Sequence, residues 1–525
     1  MDTKALRQKV LDLAIRGKLV PQDPNDEPAS VLLERIRQQK QQMVEEGKLK
    51  AKDIKNDTII FVGEDNLHYE KFADGCVKCI EDEIPYDLPE GWVWARLGSV
   101  AEAIGDGDHQ PPPQTSFGVP FLVISNVSSG QLSFENTRFV SEEYFSQLPE
   151  TRKPRNGDLL FTVTGSYGIP VLVDTDDKFC FQRHIAIVRP CNISNRYLYV
   201  VLGSSYVKSI CDTKATGTAQ KTVGLATLRE LLIPVAPYKE QMQIYTQTQD
   251  ALSIVDSISS DKADLLNIIE NTKAKILDLA IRGKLVPQNP DDEPASVLLE
   301  RIRGEKEDRI RQGKIKRDKK ESVIFRGDDN SYYEKMADGK LHFLDDQLPF
   351  ELPDGWEWCN LSMIGTTNIG LTYRPTDIEP DGVIVLRSCN IVNEQIDLSD
   401  LVRVKTTIRE KQYVQKNDIL ICARNGSRAL VGKCALISDF GEAASFGAFM
   451  AIYRTEYFEY IVHYLRSSFF RSVFDDSNST AINQLTQDML KRAIVPFPPL
   501  SEQHRIAETI EAMLIELNQM EKSLN

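Results

Sequence analysis

Hydrophobic and polar positions change their spacing several times along the 525 residues. From 240 to about 282 no proline interrupts, and Ile244, Ala251, Val255, Ile258, Leu265, Ile269, Ile276 and Leu279 recur near three-to-four spacing. That period predicts one long helix with a single apolar stripe. At 1.5 Å per residue it would run about 65 Å, longer than most domains are wide. The C-terminal stretch repeats the pattern, with Ile506, Ile510, Met513, Leu517, Met520 and Leu524 stepping by four and three. This is the seam of a helix packed lengthwise on a partner. Arg-Gly-Lys-Leu-Val-Pro, at 16–21 and again at 282–287, supplies the glycine and proline that stop a helix. A charged helix is expected next, starting near Pro28/Ala29 and Pro294/Ala295, where proline suits the first turn. Short apolar runs such as Asp158-Leu-Leu-Phe-Thr-Val and Asp418-Ile-Leu-Ile-Cys read as strands followed by glycine-rich loops. The stretches between the helices are therefore mixed α/β.

The same elements occur twice. Residues 11–37 recur at 277–303 with only Asp23→Asn and Asn25→Asp changed. HYEKFADG at 68–75 matches YYEKMADG at 332–339, and LPEGWVW at 88–94 matches LPDGWEW at 352–358. Residues 216–244 align with 478–506, whereas about 95–215 and 359–477 differ at most positions. One scaffold has been duplicated to carry two different modules. The tail 501–525 corresponds to about 239–263, and residues 1–17 to 267–283. The two termini are thus expected to rebuild a second copy of the long helix, antiparallel to the first and related to it by a pseudo-two-fold. The expected segments are 1–17 and 18–84 (helix, then linker and charged helix), 85–238 (first module), 239–283 (long helix), 284–348 (second linker and charged helix), 349–499 (second module) and 500–525 (closing helix).

Charge and chemistry narrow the function. The chain carries 63 Lys and Arg against 77 Asp and Glu, a formal net charge of −14. Taken alone, this opposes a protein that coats nucleic acid. Residues 85–240 hold only net −2 and 349–502 net −4, so the modules are nearly balanced. The basic run Gly313-Lys-Ile-Lys-Arg-Asp-Lys-Lys320 reads as a solvated helix end before a phosphate-contacting arm. No apolar run reaches membrane-spanning length. Nine scattered cysteines without an export signal suggest reduced thiols and a cytoplasmic setting. Cys76-Val-Lys-Cys79 is a lone pair, with Lys340 and Phe343 at the matching positions of the repeat, and cannot complete a zinc site. The nearest approach to a phosphate loop, Gly426 to Cys434, has the wrong spacing and lacks the hydroxyl. No Asn/Asp-Pro-Pro-aromatic methyltransferase segment is present, and six histidines give no metal pair. His184 beside Arg183 has no nucleophile paired with it in sequence. The absence of catalytic signatures favours binding over catalysis.

The repeated LDLAIRGKLVPQ, the LPxGWxW opening of each module and the P-x-P-P-L-x-E-Q-x-x-I ending at 496–506 together resemble type I restriction–modification specificity subunits. The resemblance covers essentially the whole chain. It implies an α+β fold in which two mixed α/β target-recognition domains are joined by two long antiparallel helices. It also implies a non-catalytic reader of double-stranded DNA, each domain reading half of a bipartite, asymmetric site. The helices would set the unread gap between the halves. The implied partners are two methyltransferase subunits, which would bring S-adenosylmethionine for adenine N6-methylation, and restriction motor-nuclease subunits. No cofactor is expected on this chain. A protein scaffold that reads no DNA is the competing class, and a fused methyltransferase–reader is disfavoured by its missing motifs.

Base edges call for Arg opposite guanine and for Asn or Gln opposite adenine, while small hydroxyls suit phosphates. In the first module the candidate residues are His109, Gln110, Asn126, Thr164, Ser166, Tyr167, Thr218, Gln220 and Lys221. In the second they are Tyr373, Arg374, Arg387, Ser388, Asn390, Arg424, Asn425, Ser427, Arg428, Asn483 and Gln484. The loop with Arg424 and Arg428 around Gly426 is the foremost of these.

Overall fold

The computed structural model describes all residues except 1, 111, 219, 318–321, 476–483 and 525. The chain divides into two compact units, 1–262 and 263–525. The division falls where the internal repeat begins again. The expected long helix is one continuous element, Tyr238–Ile281, whose first part belongs to the first unit and whose last part belongs to the second.

Each unit closes around the same few residues. In the first, helix Thr3–Ile15 ends at Gly17, whose φ of +62° turns the chain back. A Cβ on Gly17 would lie 2.4 Å from Pro89 Cγ, so the turn is pressed against the Leu-Pro-Glu-Gly-Trp segment. Gln22 Nε2 then donates to Gly17 O at 2.6 Å and to Glu240 Oε1 at 3.2 Å. The other oxygen of Glu240 accepts from Trp92 Nε1 at 3.0 Å. The second unit repeats every contact. Gly283 has φ +63° and would meet Pro353 Cγ at 2.4 Å. Gln288 reaches Gly283 O at 2.7 Å and Glu502 Oε1 at 3.2 Å, while Trp356 reaches Glu502 Oε2 at 3.0 Å. Both carboxylates are buried, and burial holds their pKa above the ordinary glutamate value. The repeated motifs are thus three sides of one node.

The node also orients the helices. In the first unit Gln22 meets Glu240 while Arg7 pairs with Asp256; in the second, Gln288 meets Glu502 while Lys273 pairs with Glu521. Rising numbers on one helix match falling numbers on the other, so the packing is antiparallel in each unit. Arg7 and Lys273 are equivalent positions, and each places a cation against the facing helix. The apolar seam departs from the expected one. Ile244, Val255, Ile269 and Ile276 are buried, but Leu265 is 46% exposed. In helix Leu500–Leu524 the stripe runs through Ile506, Ile510, Leu514 and Leu517, leaving Met513 and Met520 outside. A 3.6-residue helix drifts away from a strict 3.5 repeat.

Helices Ala29–Glu45 and Ala295–Arg311 follow each node. Pro28 and Pro294 cap them from just outside, and Ala29 N donates to Gly91 O as Ala295 N does to Gly355 O, both at 2.8 Å. A three-stranded antiparallel sheet comes next in each copy, where only linker was expected. Its strands are Ile59–Val62, His68–Lys71 and Val77–Cys79, repeated as Ser322–Arg326, Tyr332–Met336 and Leu341–Phe343. Strands of three to five residues are too short for a two-residue period to stand out. The Ala-Asp-Gly shared by both copies forms the turn between the second and third strands.

Each module hangs between an opening and a closing strand. Val93–Arg96 pairs with Leu232–Val235, and Glu357–Asn360 with Ile494–Phe497. Inside lies a four-stranded antiparallel sheet. Its spatial order is Ala101–Asp106, Ile185–Pro190, Leu159–Thr162, Pro170–Leu172, matched by Thr366–Ile369, Met450–Arg454, Ile419–Cys422, Cys434–Leu436. A smaller three-stranded sheet packs beside it in each module, around Val119–Leu122 and Ile378–Leu386. Two sequences that scarcely align thus share one fold. A clamp inside it also survives: Arg189 is bidentate to Asp158 at 2.8–2.9 Å, and Arg454 to Asp418 at 2.6–2.7 Å.

All nine cysteines are free, Cys76 and Cys79 among the exposed ones. No helix among the described residues is long and apolar enough to cross a membrane. All four tryptophans, Trp92, Trp94, Trp356 and Trp358, are at the two module openings, so their fluorescence reports the nodes. Glu502→Ala leaves Trp356 Nε1 without its acceptor and Gln288 with Gly283 O alone. It is expected to destabilise the second unit by about 2–4 kcal/mol, read by denaturant unfolding followed at the tryptophans. The raised carboxyl pKa sets the sign with pH: the ionised node is less favourable than the protonated one. Stability from this group is full below the unfolded glutamate pKa and is lost as pH rises through the folded value. Glu502→Ala should therefore flatten that slope.

Candidate nucleic-acid interface

At one end of each four-stranded sheet, three strand ends deliver loops side by side. In the first module these are the loop after Asp106, the loop before Ile185 and the loop after Thr162. Gly107 lets the first of them cross closely, since a Cβ there would lie 1.9 Å from Phe181 O. Arg183 N donates to Asp108 O at 3.1 Å, Val163 N to His184 O at 2.9 Å, and Gly165 N to Lys221 O at 3.1 Å. The last contact brings in a fourth loop, 216–222, far away in sequence. Thr164 Oγ1 and Thr222 Oγ1 are 3.1 Å apart across the same bridge.

The second module builds the same end from different residues. Gly370 takes the place of Gly107, where a Cβ would lie 2.1 Å from Gly447 O. Leu371 N donates to Phe446 O at 2.8 Å, and both Ala423 N and Arg424 N donate to Phe449 O, at 2.9 and 3.0 Å. Arg424 bridges to Gln484, as Thr164 does to Thr222. Strand pairing makes His184 equivalent to Phe449, and Thr164 to Arg424.

The expected residues fall into two groups. His109, Gln110, Ser166, Thr218, Gln220 and Lys221 are exposed on the gathered loops of the first module. His109 Nε2 is 2.8 Å from Asp106 Oδ2. In the second module Arg374, Arg424, Ser427, Arg428 and Gln484 are exposed and Asn425 partly so. The Arg424 guanidinium lies 5.4 Å over the Phe449 ring, and Asn425 Nδ2 donates to Ser388 Oγ at 3.4 Å. Asn483 lies outside the described residues, as do Asp318, Lys319 and Lys320 of the basic run; Arg317 of that run pairs with Glu307.

The other group is committed to the protein itself. Asn126 is buried, accepting from Val123 N at 3.0 Å and donating to Glu135 O at 3.0 Å. Asn390 does the same work with Arg387 N, Asp397 O and Asp400 O, at 2.8–2.9 Å. These two amides, expected among the DNA-binding residues, are instead buried and hold their own loops. Arg387 is turned to Asp400 at 2.9 Å. Tyr373 packs against the cluster of Leu371, Val385 and Val404. The Tyr167 hydroxyl donates to Asp212 at 2.8 Å, with the Lys208 ammonium 4.0 Å above its ring. Thr164 is largely buried in its bridge.

The structure adds residues absent from that set: Gln182, Arg183 and His184 in the first module, and Phe449 in the second. Arg183 is exposed, and Phe449 is 60% exposed. Burial, aided by the Arg183 charge, lowers the pKa of His184, so its ring is neutral at physiological pH. Their signal in the sequence is a polar or aromatic break immediately before an apolar strand, Gln-Arg-His before Ile185 and Phe before Met450. Together the gathered loops offer cations, amides, hydroxyls and one exposed ring. Among the described residues no three His, Cys, Asp or Glu side chains are grouped to hold a metal ion.

Two segments, 89–270 and 353–525, each match the type I restriction modification DNA specificity domain. The chain belongs to that family. Over an alignment of 583 residues it is 27% identical to the type I restriction enzyme EcoAI specificity subunit of Escherichia coli, covering 98% of this chain and 90% of that protein. The EcoEI specificity subunit of the same species is 25% identical, with 99% and 90% covered. A solved chain from work on complex assembly and conformational transition of the type I R-M system superposes with a TM-score of 0.51. It is 17% identical, with 84% of this chain and 94% of that chain covered, and it supports the fold. The two modules are the target-recognition domains of this specificity subunit. If the gathered loops meet DNA, Arg424→Ala and Phe449→Ala should each weaken binding by about 1–3 kcal/mol without changing the melting temperature. Asn390→Ala should instead lower the melting temperature. Anisotropy titrations of a labelled duplex, run beside thermal melts, separate the two outcomes.

Proposed function

We propose that this specificity subunit reads a bipartite, asymmetric site on double-stranded DNA, one half with each target-recognition domain. The observation that carries this reading is the pair of non-equivalent loop sets on equivalent strand ends. Thr164-Gly-Ser-Tyr167 and Arg183-His184 occupy one module where Arg424-Asn-Gly-Ser427 and Ala448-Phe449 occupy the other. A duplicated frame with different chemistry at the same positions suits two different half-sequences. Neutral hydroxyls and an imidazole suit a different set of base edges from an arginine stacked on a phenyl ring. The chain itself is non-catalytic in this reading. Two methyltransferase subunits, each holding its own S-adenosylmethionine, modify adenine, and motor-nuclease subunits cleave unmodified DNA.

Electrostatics supports a reader that works in company. The domains carry little net charge, so the reader's share of phosphate neutralisation is small and its partners supply most of it. The test is co-expression with the cognate methyltransferase, followed by genome-wide mapping of methylated adenines. A two-part motif with a fixed gap is expected. Replacing residues 95–215 with another module should change one half of that motif and leave the other intact. Methylation without a motif, or a swap that alters both halves, would refute the reading.

A further inference from the structure

The two three-stranded sheets belong to neither the helices nor the DNA-reading loops, and the segments made of the sheets and their short flanks hold most of the chain's excess charge. Residues 57–83 carry net −6 and 321–347 net −4, so ten of the fourteen excess negative charges lie in these two segments. One face of each sheet packs inward through Ile60 or Ile324 onto the module root, beside Trp94 or Trp358. The opposite face is largely exposed, although Ile59 and Lys71 border a cavity beside helix Ala29–Glu45 and Val323 packs on the second unit's core. Its cross-strand rows in the first copy are Phe61, Tyr69, Cys79 and Ile59, Lys71, Val77. In the second they are Phe325, Tyr333, Phe343 and Val323, Lys335, Leu341. Both copies therefore show an aromatic, aliphatic face with one lysine at the same place. Phe61 stacks on Tyr69 and Phe325 on Tyr333 at 5.9 and 6.0 Å. Val77 is 53% and Leu341 58% exposed. Exposed acidic side chains, Glu64, Asp65 and Asp74 and their counterparts Asp328, Asp329 and Asp338, lie in the two turns of each sheet.

We propose that each sheet is a docking site for a protein partner carrying an apolar patch flanked by lysine and arginine. Two equivalent faces call for a partner present in two copies. Acidic turns repel phosphate, so this surface faces away from DNA. The sheets are also rigidly tied to the readers. Arg96 on the opening strand is bidentate to Glu70 at 2.7 and 3.0 Å, and Asn360 on the second opening strand reaches Ser322 Oγ at 2.8 Å. A partner that acts on a base next to a half-site needs a dock fixed relative to the domain that reads it. Resting on the function proposed above, the occupant is the methyltransferase subunit, one per sheet.

The test mixes full-length chain with purified methyltransferase subunit and counts bound copies by native mass spectrometry. Unaltered chain should carry two. Phe61→Asp with Val77→Asp should leave one, as should Phe325→Asp with Leu341→Asp, and all four together should leave none at micromolar concentration. Circular dichroism melts confirm that each variant is folded. A milder pair, Glu64→Lys with Asp328→Lys, should weaken binding at least tenfold at low salt, a difference that shrinks at high salt. Two subunits bound with unchanged affinity in every variant overturns the docking site and leaves the DNA-reading function standing. Failure of the unaltered chain to bind any methyltransferase overturns both. Self-association through these faces in place of methyltransferase binding overturns the docking proposal.

Discussion

Everything variable in this protein hangs from a buried carboxylate. Glu240 joins Gln22, Trp92 and its own helix, bringing together segments 148 and 218 residues apart. Glu502 does the same in the second unit. A charge out of water is costly unless its oxygens are occupied, and here each oxygen takes an N–H donor. The node fixes where the module's two ends meet, and the paired opening and closing strands continue from it. What lies between those ends can change sequence almost freely while the sheet order and the Asp–Arg clamp are kept. This explains how the halves can be nearly identical at 11–37 and 277–303 yet barely alignable across their modules.

Much of this was legible in the sequence, and the reason is physical. The repeated motifs are long, and the long helix lacks proline, so its 44 residues stood out. Why the motifs repeat was not legible. Gly17, Gln22, Trp92 and Glu240 are scattered, and only folding shows that they touch. The three-stranded sheets were missed because their strands have three to five residues, though the Ala-Asp-Gly turn was in plain view. In the candidate interface, loops were found correctly as loops, but residue type could not tell an amide that points outward from one that ties its own loop. The Gln484 amide is exposed, whereas the Asn390 amide is buried and bonded within its own loop. Phe449 escaped notice because an aromatic next to a strand usually belongs to the core.

The distribution of charge sets the modules apart from the segments at their roots. A net charge of −14 seemed to speak against DNA when read as one number. Placed on the fold, most of it falls on the two short segments that hold the small sheets and their flanks, and the modules themselves are close to neutral. A nearly neutral module gains little from phosphates, so under the proposed function its affinity would rest on a few exposed groups such as Arg183 and Arg424. That arrangement favours discrimination over affinity: contacts to base edges differ between sequences, whereas phosphate contacts do not. An acidic sheet near the reading domain also restricts how the duplex can lie, because the phosphates are repelled from that side. In the docking proposal, the same charges that would repel DNA would favour a basic protein surface. Under that proposal, each unit would offer DNA and a protein partner separate surfaces tied together by Arg96–Glu70 or Asn360–Ser322.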